Sequence, residues 1–213
     1  MAAAVELAPP GLRITPRTLH GIPLYDGDLE AEGIPAAVTD LADAIRGADG
    51  VLIASPEYNH GIPGVLKNTI DWLSRRGVGN PFRDRPAGVI GASNGVIGTA
   101  RAQIAARHVL TTLGALVLPP PEVLVGNAQD RFDDKGRLRD ERTREVLGTW
   151  LGRMEGWVRR VGGQADGRGG GGGEGGEIEG GLCCWAAGPP APPAGCRAVG
   201  YRDSSPGHQG AGR

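Results

Sequence analysis

Cysteine is missing from the first 161 of the 213 residues; Cys183, Cys184 and Cys196 all lie beyond them. A fold built from that region needs no disulfide and suits a reducing compartment. Lysine is nearly missing too, since Lys67 and Lys135 are the only two among 23 basic residues. With so much Ala, Gly and Pro, that skew toward Arg reads as biased coding. Neither sign of charge is in excess: 23 basic residues face 24 acidic ones, and the first 161 residues carry 19 of each. A neutral domain has no net field to draw phosphate backbones or anionic lipid, so nucleic acid and membrane surfaces are not expected partners. No apolar run approaches the roughly 18 residues of a membrane span. No charged segment precedes an apolar one at the N-terminus, so no secretory signal is visible. These absences lead us to expect a soluble, cytoplasmic protein. There is no internal repeat.

What is abundant is glycine and proline, 38 and 17 residues. They are unevenly spread: 18 Gly and 5 Pro fall in the 52 residues from Gly162 to Arg213, including five consecutive glycines, 169–173. The composition divides the chain into one domain, 1–161, and a low-complexity tail, 162–213. The tail has no apolar period with which to offset the entropy of ordering it, and is expected to be disordered.

Within the domain, Met1 to Ala8 is compatible with a short helix stopped by Pro9-Pro10-Gly11, and reads like the last two turns of a longer one. Leu12 to Leu19 alternates as a strand does. Ile22 to Asp26 is an extended loop. Pro35 opens a helix whose inner face is Val38, Leu41 and Ile45. Val51-Leu52-Ile53-Ala54 is a continuous apolar run, the mark of a strand covered on both faces. Pro63 starts a helix with Leu66, Ile70 and Leu73 inward. A second buried strand runs from Pro86 to Ala92, followed by a helix with Ala102, Ala106, Val109 and Leu113 in a stripe. Leu116-Val117-Leu118 is a third strand, stopped by Pro119-Pro120-Pro121; Val123 to Gly136 reads as a long loop. Asp140 is a good N-cap for a last helix with Leu147, Trp150, Leu151, Met154, Val158 and Val161 on one face. Strands alternating with helices imply an α/β fold with a parallel sheet and helices on both sides.

In such sheets ligands bind beyond the carboxyl ends of the strands. Two loops fall there: Ser55-Pro56-Glu57-Tyr58-Asn59-His60-Gly61 and Gly91-Ala92-Ser93-Asn94-Gly95-Val96-Ile97-Gly98. Both precede helices and so bring backbone N–H groups to the crevice. The first offers a fixed-φ proline, a phenol and an amide; the second offers glycines that permit close backbone approach. A planar, amide-rich ring would suit the pair. The second loop also fits the Gly-x-Ser-x-Gly nucleophile elbow at Ser93. That reading needs an acid and then a histidine after the serine. His108 has no acid between it and Ser93, His208 lies in the tail, and His20 and His60 precede the serine, so no suitable base is available.

The segment from Ser55 to Ser74, Ser55-Pro56-Glu57-Tyr58-Asn59-His60-Gly61-Ile62-Pro63-Gly64-Val65-Leu66-Lys67-Asn68-Thr69-Ile70-Asp71-Trp72-Leu73-Ser74, resembles the signature of the NADPH-dependent FMN reductase family, which includes bacterial chromate and quinone reductases and azoreductases. Ile22-Pro23-Leu24-Tyr25-Asp26, Gly95-Val96-Ile97-Gly98-Thr99-Ala100-Arg101 and Pro121-Glu122-Val123 resemble further segments of it, so the likeness runs from about Leu7 to Val161. The resemblance implies a flavodoxin-like three-layer sandwich, FMN, and NADPH or NADH as hydride donor. It implies that Pro56, Glu57, Tyr58, Asn59 and His60 line one edge of the flavin ring, with Ser93, Asn94 and Gly95 contacting it from the neighbouring loop. No catalytic side chain and no metal is implied. The electron acceptor would be a small molecule: a quinone, azo dye, metal oxyanion or second flavin. A homodimer or homotetramer is implied, with Arg101 and Glu122 resembling subunit-interface partners.

The likeness departs at the start. Family members begin with a strand and a Gly/Ser-rich phosphate loop ahead of the first helix, and Met1 falls inside that helix. We therefore expect the central first strand to be missing, the strands on either side of it to be left with open edges, and FMN binding to be weakened for want of a phosphate-holding helix N-terminus. The alternative is a non-catalytic, degenerate family member serving as an oligomer partner. In the tail, a single Arg168-Gly169-Gly170 is a weak RNA-binding triplet, and Cys183, Cys184, Cys196 and His208 lack zinc-site spacing.

Overall fold

The computed structural model describes residues 1–165 and 180–186. Strand β2 (Gly50–Ala54) is buried along nearly its whole length. Val51 and Ile53 join one apolar core and Leu52 the other. Strand β3 (Pro86–Ala92) divides in the same way, Ala87 and Val89 against Ile90. A strand apolar at every position needs cover on both faces. On one side that cover is α3 (Ala36–Arg46), α4 (Gly64–Leu73) and α5 (Ala100–Thr112), through Val38, Leu41, Ile45, Leu66, Ile70, Leu73, Ala106 and Leu110. On the other it is α1 (Ala2–Glu6) and α7 (Glu141–Ala165), through Ala3, Ala4, Leu147, Trp150, Leu151, Met154 and Val158. The three-layer α/β sandwich follows from these faces. Asp140 caps α7, its carboxylate accepting from the Thr143 N–H at 2.9 Å.

All strand pairs are parallel, in the order β1 (Leu12–Thr18), β6 (Gly180–Ala186), β2, β3, β4 (Leu116–Val117), with β5 (Val123–Val125) also on β3. Strands β4 and β5 are two halves of one edge: β4 pairs Pro86 and Ala87, β5 pairs Ile90 to Ala92. Pro119-Pro120-Pro121 divides them, because proline has no N–H to give a ladder. Short helices α2 (Gly27–Glu32) and α6 (Ala128–Arg131) complete the elements of the described residues. The periodicity gives neither of them, nor β5.

Two expectations need correction. Regular structure does not end at residue 161, because α7 continues to Ala165 and Gly180–Ala186 is a strand. Nor is the place between β1 and β2 open. Strand β6 fills it, paired from Leu12↔Gly180 to Thr18↔Ala186 on one side and from Gly50↔Leu182 to Ala54↔Ala186 on the other. The physical reason is unsatisfied backbone: among the described residues β1 pairs with no other strand, and an unpaired row of N–H and C=O groups is a template for a further strand. Asp49 pins the register, its N–H donating to Gly181 O at 2.9 Å and its carboxylate accepting from Gly181 N at 2.7 Å. The remainder of the expected tail, including Arg168-Gly169-Gly170, Cys196 and His208, lies outside the described residues. Among the described residues no helix is long and apolar enough to cross a membrane, and no group of His, Cys, Asp or Glu is placed to hold a metal.

Candidate functional site: the carboxyl rim of the sheet

Because every strand runs the same way, the segments that follow β1, β2, β3 and β5 leave at one rim. After β2 the chain does not wander as an open loop. Tyr58 and Gly61 form an antiparallel bridge, Tyr58 N donating to Gly61 O at 3.1 Å and Gly61 N to Tyr58 O at 2.9 Å. Asn59 and His60 occupy the tip with φ of 50° and 63°. Two consecutive left-handed residues are what a two-residue tight turn demands, and Asn and His tolerate that region better than most. Tyr58 is 51% exposed and, with Pro56, lines an apolar cavity of about 250 Å³ that Gly91, Ala92, Val125 and Leu147 also line.

After β3, Ser93 closes its own loop. Its hydroxyl donates to Gly98 O at 2.9 Å and accepts from Gly95 N at 3.2 Å. The Ser93 backbone is held to Val125 O and to Ala128 N. A serine so engaged, with no histidine bonded to it, is no nucleophile, and the elbow reading falls. Asn94, at the apex, is exposed and makes no hydrogen bond among the described residues.

The two loops touch. Ser55 N donates to Ile90 O at 3.0 Å, and Gly91 lies so tightly between them that a Cβ there would fall 2.2 Å from Thr99 Oγ1 and 2.4 Å from Ser55 O. Pro56, Tyr58, Asn59, His60, Asn94 and Gly95 thus share one rim, together with the backbone of Glu57 and Ser93. The Glu57 carboxylate turns away from the rim surface, accepting from Arg101 N at 2.9 Å and Ala102 N at 3.0 Å. Arg101 lies beside it, Nη1 to Oε1 at 3.8 Å.

The second half of the Ser55–Ser74 segment has a different task. Trp72 Nε1 and Asn68 Nδ2 both donate to Pro23 O, at 2.9 and 2.8 Å, and Tyr25 N donates to Asn68 Oδ1 at 2.8 Å. The Tyr25 ring meets Trp72 edge-on, centroids 5.0 Å apart, and the Arg75 guanidinium lies over the ring, 5.1 Å from its centroid. The Arg75 guanidinium, donating to the Tyr25 hydroxyl, is held above the usual arginine range. Helix α4 thereby fixes the segment 22–26 at the rim. No spacing rule could have separated these residues from those that face the crevice.

A parallel sheet in this order, helices on both faces, and two abutting loops at its carboxyl rim define a flavodoxin-like α/β protein. Residues 1–130 match the family described as NADPH-dependent FMN reductase, and the chain belongs to that family. It is 46% identical over 158 residues to an NAD(P)H-dependent FMN reductase of Pseudomonas aeruginosa, covering 74% of this chain and 85% of that protein. It is 40% identical over 159 residues to a quinone reductase of Escherichia coli, covering 73% and 84%. Among solved structures it resembles FerB, a flavoenzyme NAD(P)H:(acceptor) oxidoreductase of Paracoccus denitrificans, with a TM-score of 0.68 at 33% identity over 75% of this chain and 87% of that one. The protein is an NAD(P)H-dependent FMN/quinone reductase by class, with FMN and NAD(P)H as its cofactors.

Proposed function

We propose that the loops 55–61 and 93–98 hold the isoalloxazine ring of FMN edge-on, and that the enzyme passes electrons from NAD(P)H to a small acceptor: a quinone, azo dye, metal oxyanion or free flavin. The observation that carries this reading is the pairing of an exposed Asn94 without a hydrogen bond with a rigid hairpin tip at Asn59 and His60. Amide donors and acceptors on a preshaped, partly apolar rim suit a flat ring with amide-like edges. FMN, when bound, supplies the redox chemistry, taking hydride from the nicotinamide and giving two electrons to the acceptor. The protein's residues bind and orient. Pro56 and Tyr58 supply apolar contact, Asn59, His60 and Asn94 supply polar edges, and Ser93 keeps its loop closed so that Asn94 and Gly95 stay presented.

The flavin phosphate is the weak point. The N-terminal amides of α5 would attract a dianion, but Glu57 already occupies them. We infer that ring contacts dominate flavin affinity in these 213 residues. Val96, Ile97, Ile104 and Leu124 are exposed apolar side chains; they support a homodimer or homotetramer, with Arg101 and Glu122 as candidate interface residues. The other reading, a non-catalytic oligomer partner, draws on that same occupied helix end.

The test is a titration of the purified chain with FMN and, separately, riboflavin, followed by flavin fluorescence. Both should bind, with affinities within about threefold, because Glu57 already takes the α5 amides that a phosphate would need. FMN binding at least about tenfold tighter would reveal a phosphate seat. No binding of either would favour the oligomer partner.

A further inference from the structure

Glu57 is the residue of the site whose chemistry the redox reaction does not use. Its side chain is 8% exposed, and its Oε2 accepts from two backbone amides 44 and 45 residues away. Those amides belong to the first turn of α5, where helix geometry leaves N–H groups without an internal acceptor. A local side chain normally serves them. Here Thr99 stands at the N-cap but makes no capping bond; its hydroxyl instead accepts from Gln103 Nε2 at 2.9 Å. The Gln103 amide also donates to Val123 O at 2.7 Å. The start of α5 is therefore tied on one side to the hairpin after β2, through Glu57, and on the other to β5, through Gln103. The loop 93–98 is suspended between these ties. Because one oxygen accepts from two amides of α5, the tie restrains the hairpin and the start of the helix together.

We propose that Glu57 is a positioning residue: a strut that fixes the gap between the two loops and so sets flavin affinity without touching the ring. The proposal rests on the flavin reading given above. It differs from that reading in assigning the carboxylate to α5 and not to the ligand, and what matters is its two accepting contacts, not its charge. The Gln side chain has a carbonyl oxygen at the same reach and can accept from both amides. Alanine cannot, and Asp falls one methylene short.

Three variants, E57Q, E57A and E57D, are compared by flavin titration on the folded protein and by amide hydrogen exchange. In E57A and E57D, amides from 93 to 102 should exchange at least about tenfold faster, consistent with loss of a helix cap, and flavin affinity should fall by about tenfold or more. E57Q should rescue both, staying within about threefold of the parent. A purely structural role would lower the melting temperature of E57A while leaving the affinity of the folded fraction unchanged, and that outcome overturns the proposal. So does E57Q behaving like E57A, because it would make charge the active property. Should E57A fail to fold, the E57Q and E57D comparison still decides. Should the parent bind no flavin, the ring reading fails, while the exchange data judge the strut by itself.

Discussion

Two residues show how sharply single positions are specified. A Cβ added at Gly91 would fall 2.2 Å from Thr99 Oγ1 and 2.4 Å from Ser55 O, far inside van der Waals contact. Gly91→Ala should cost about 1–3 kcal/mol, as overpacking does, and should drive the two rim loops apart. Chemical denaturation reads the first effect and flavin titration the second. Asp133 is held to about 2, below its ordinary 3.8, by hydrogen bonds from the Arg137 backbone and guanidinium and the Lys135 N–H. A lowered carboxyl stabilises the fold above its unfolded value and loses that contribution as pH falls through the folded one. The difference in melting temperature between the parent and Asp133→Asn should therefore hold above pH 3.8 and close toward pH 2. At this scale the sequence was partly readable. Resemblance brought Pro56, Tyr58, Asn59 and Asn94 to the same place, where the rim gathers them. The direction of the Glu57 carboxylate was not readable, because its partners lie 44 and 45 residues away and no local pattern records them.

Among the elements, helices α3, α4, α5 and α7 and strands β2 and β3 were legible because each carries an unbroken apolar period matched to its burial. Strand β5 was not, since three residues just after a proline run carry no period. Strand β6 was hidden differently. Gly180-Gly181-Leu182-Cys183-Cys184-Trp185-Ala186 contains a short apolar run of strand length, yet averaging over the glycine-rich surroundings erased it. Its placement is open to direct measurement. With a neighbour on each side, the amides of 182–185 should exchange about as slowly as those of Val51 to Ile53, since protection follows the cooperative unit. Rapid exchange there with β2 protected would contradict the pairing. Asp49→Ala, which removes the carboxylate held by Gly181, should release β6 before the rest of the sheet, seen as faster exchange confined to β1 and β6.

For the molecule as a whole, the alternation of strands and helices was enough to state the layers, the parallel sheet and the rim at which ligands bind. It could not state the order of strands, because order depends on which edges remain unsatisfied once the others have paired. The strand made last lies second in the sheet, beside one made among the first. Ala54 and its neighbour Ala186 are 132 residues apart in the chain, roughly 7 to 26 s of synthesis at ordinary ribosomal speed. Throughout that interval the nascent polypeptide carries a cleft awaiting its final insert, so a stop codon late in the gene would injure the architecture at its opposite, amino-terminal end.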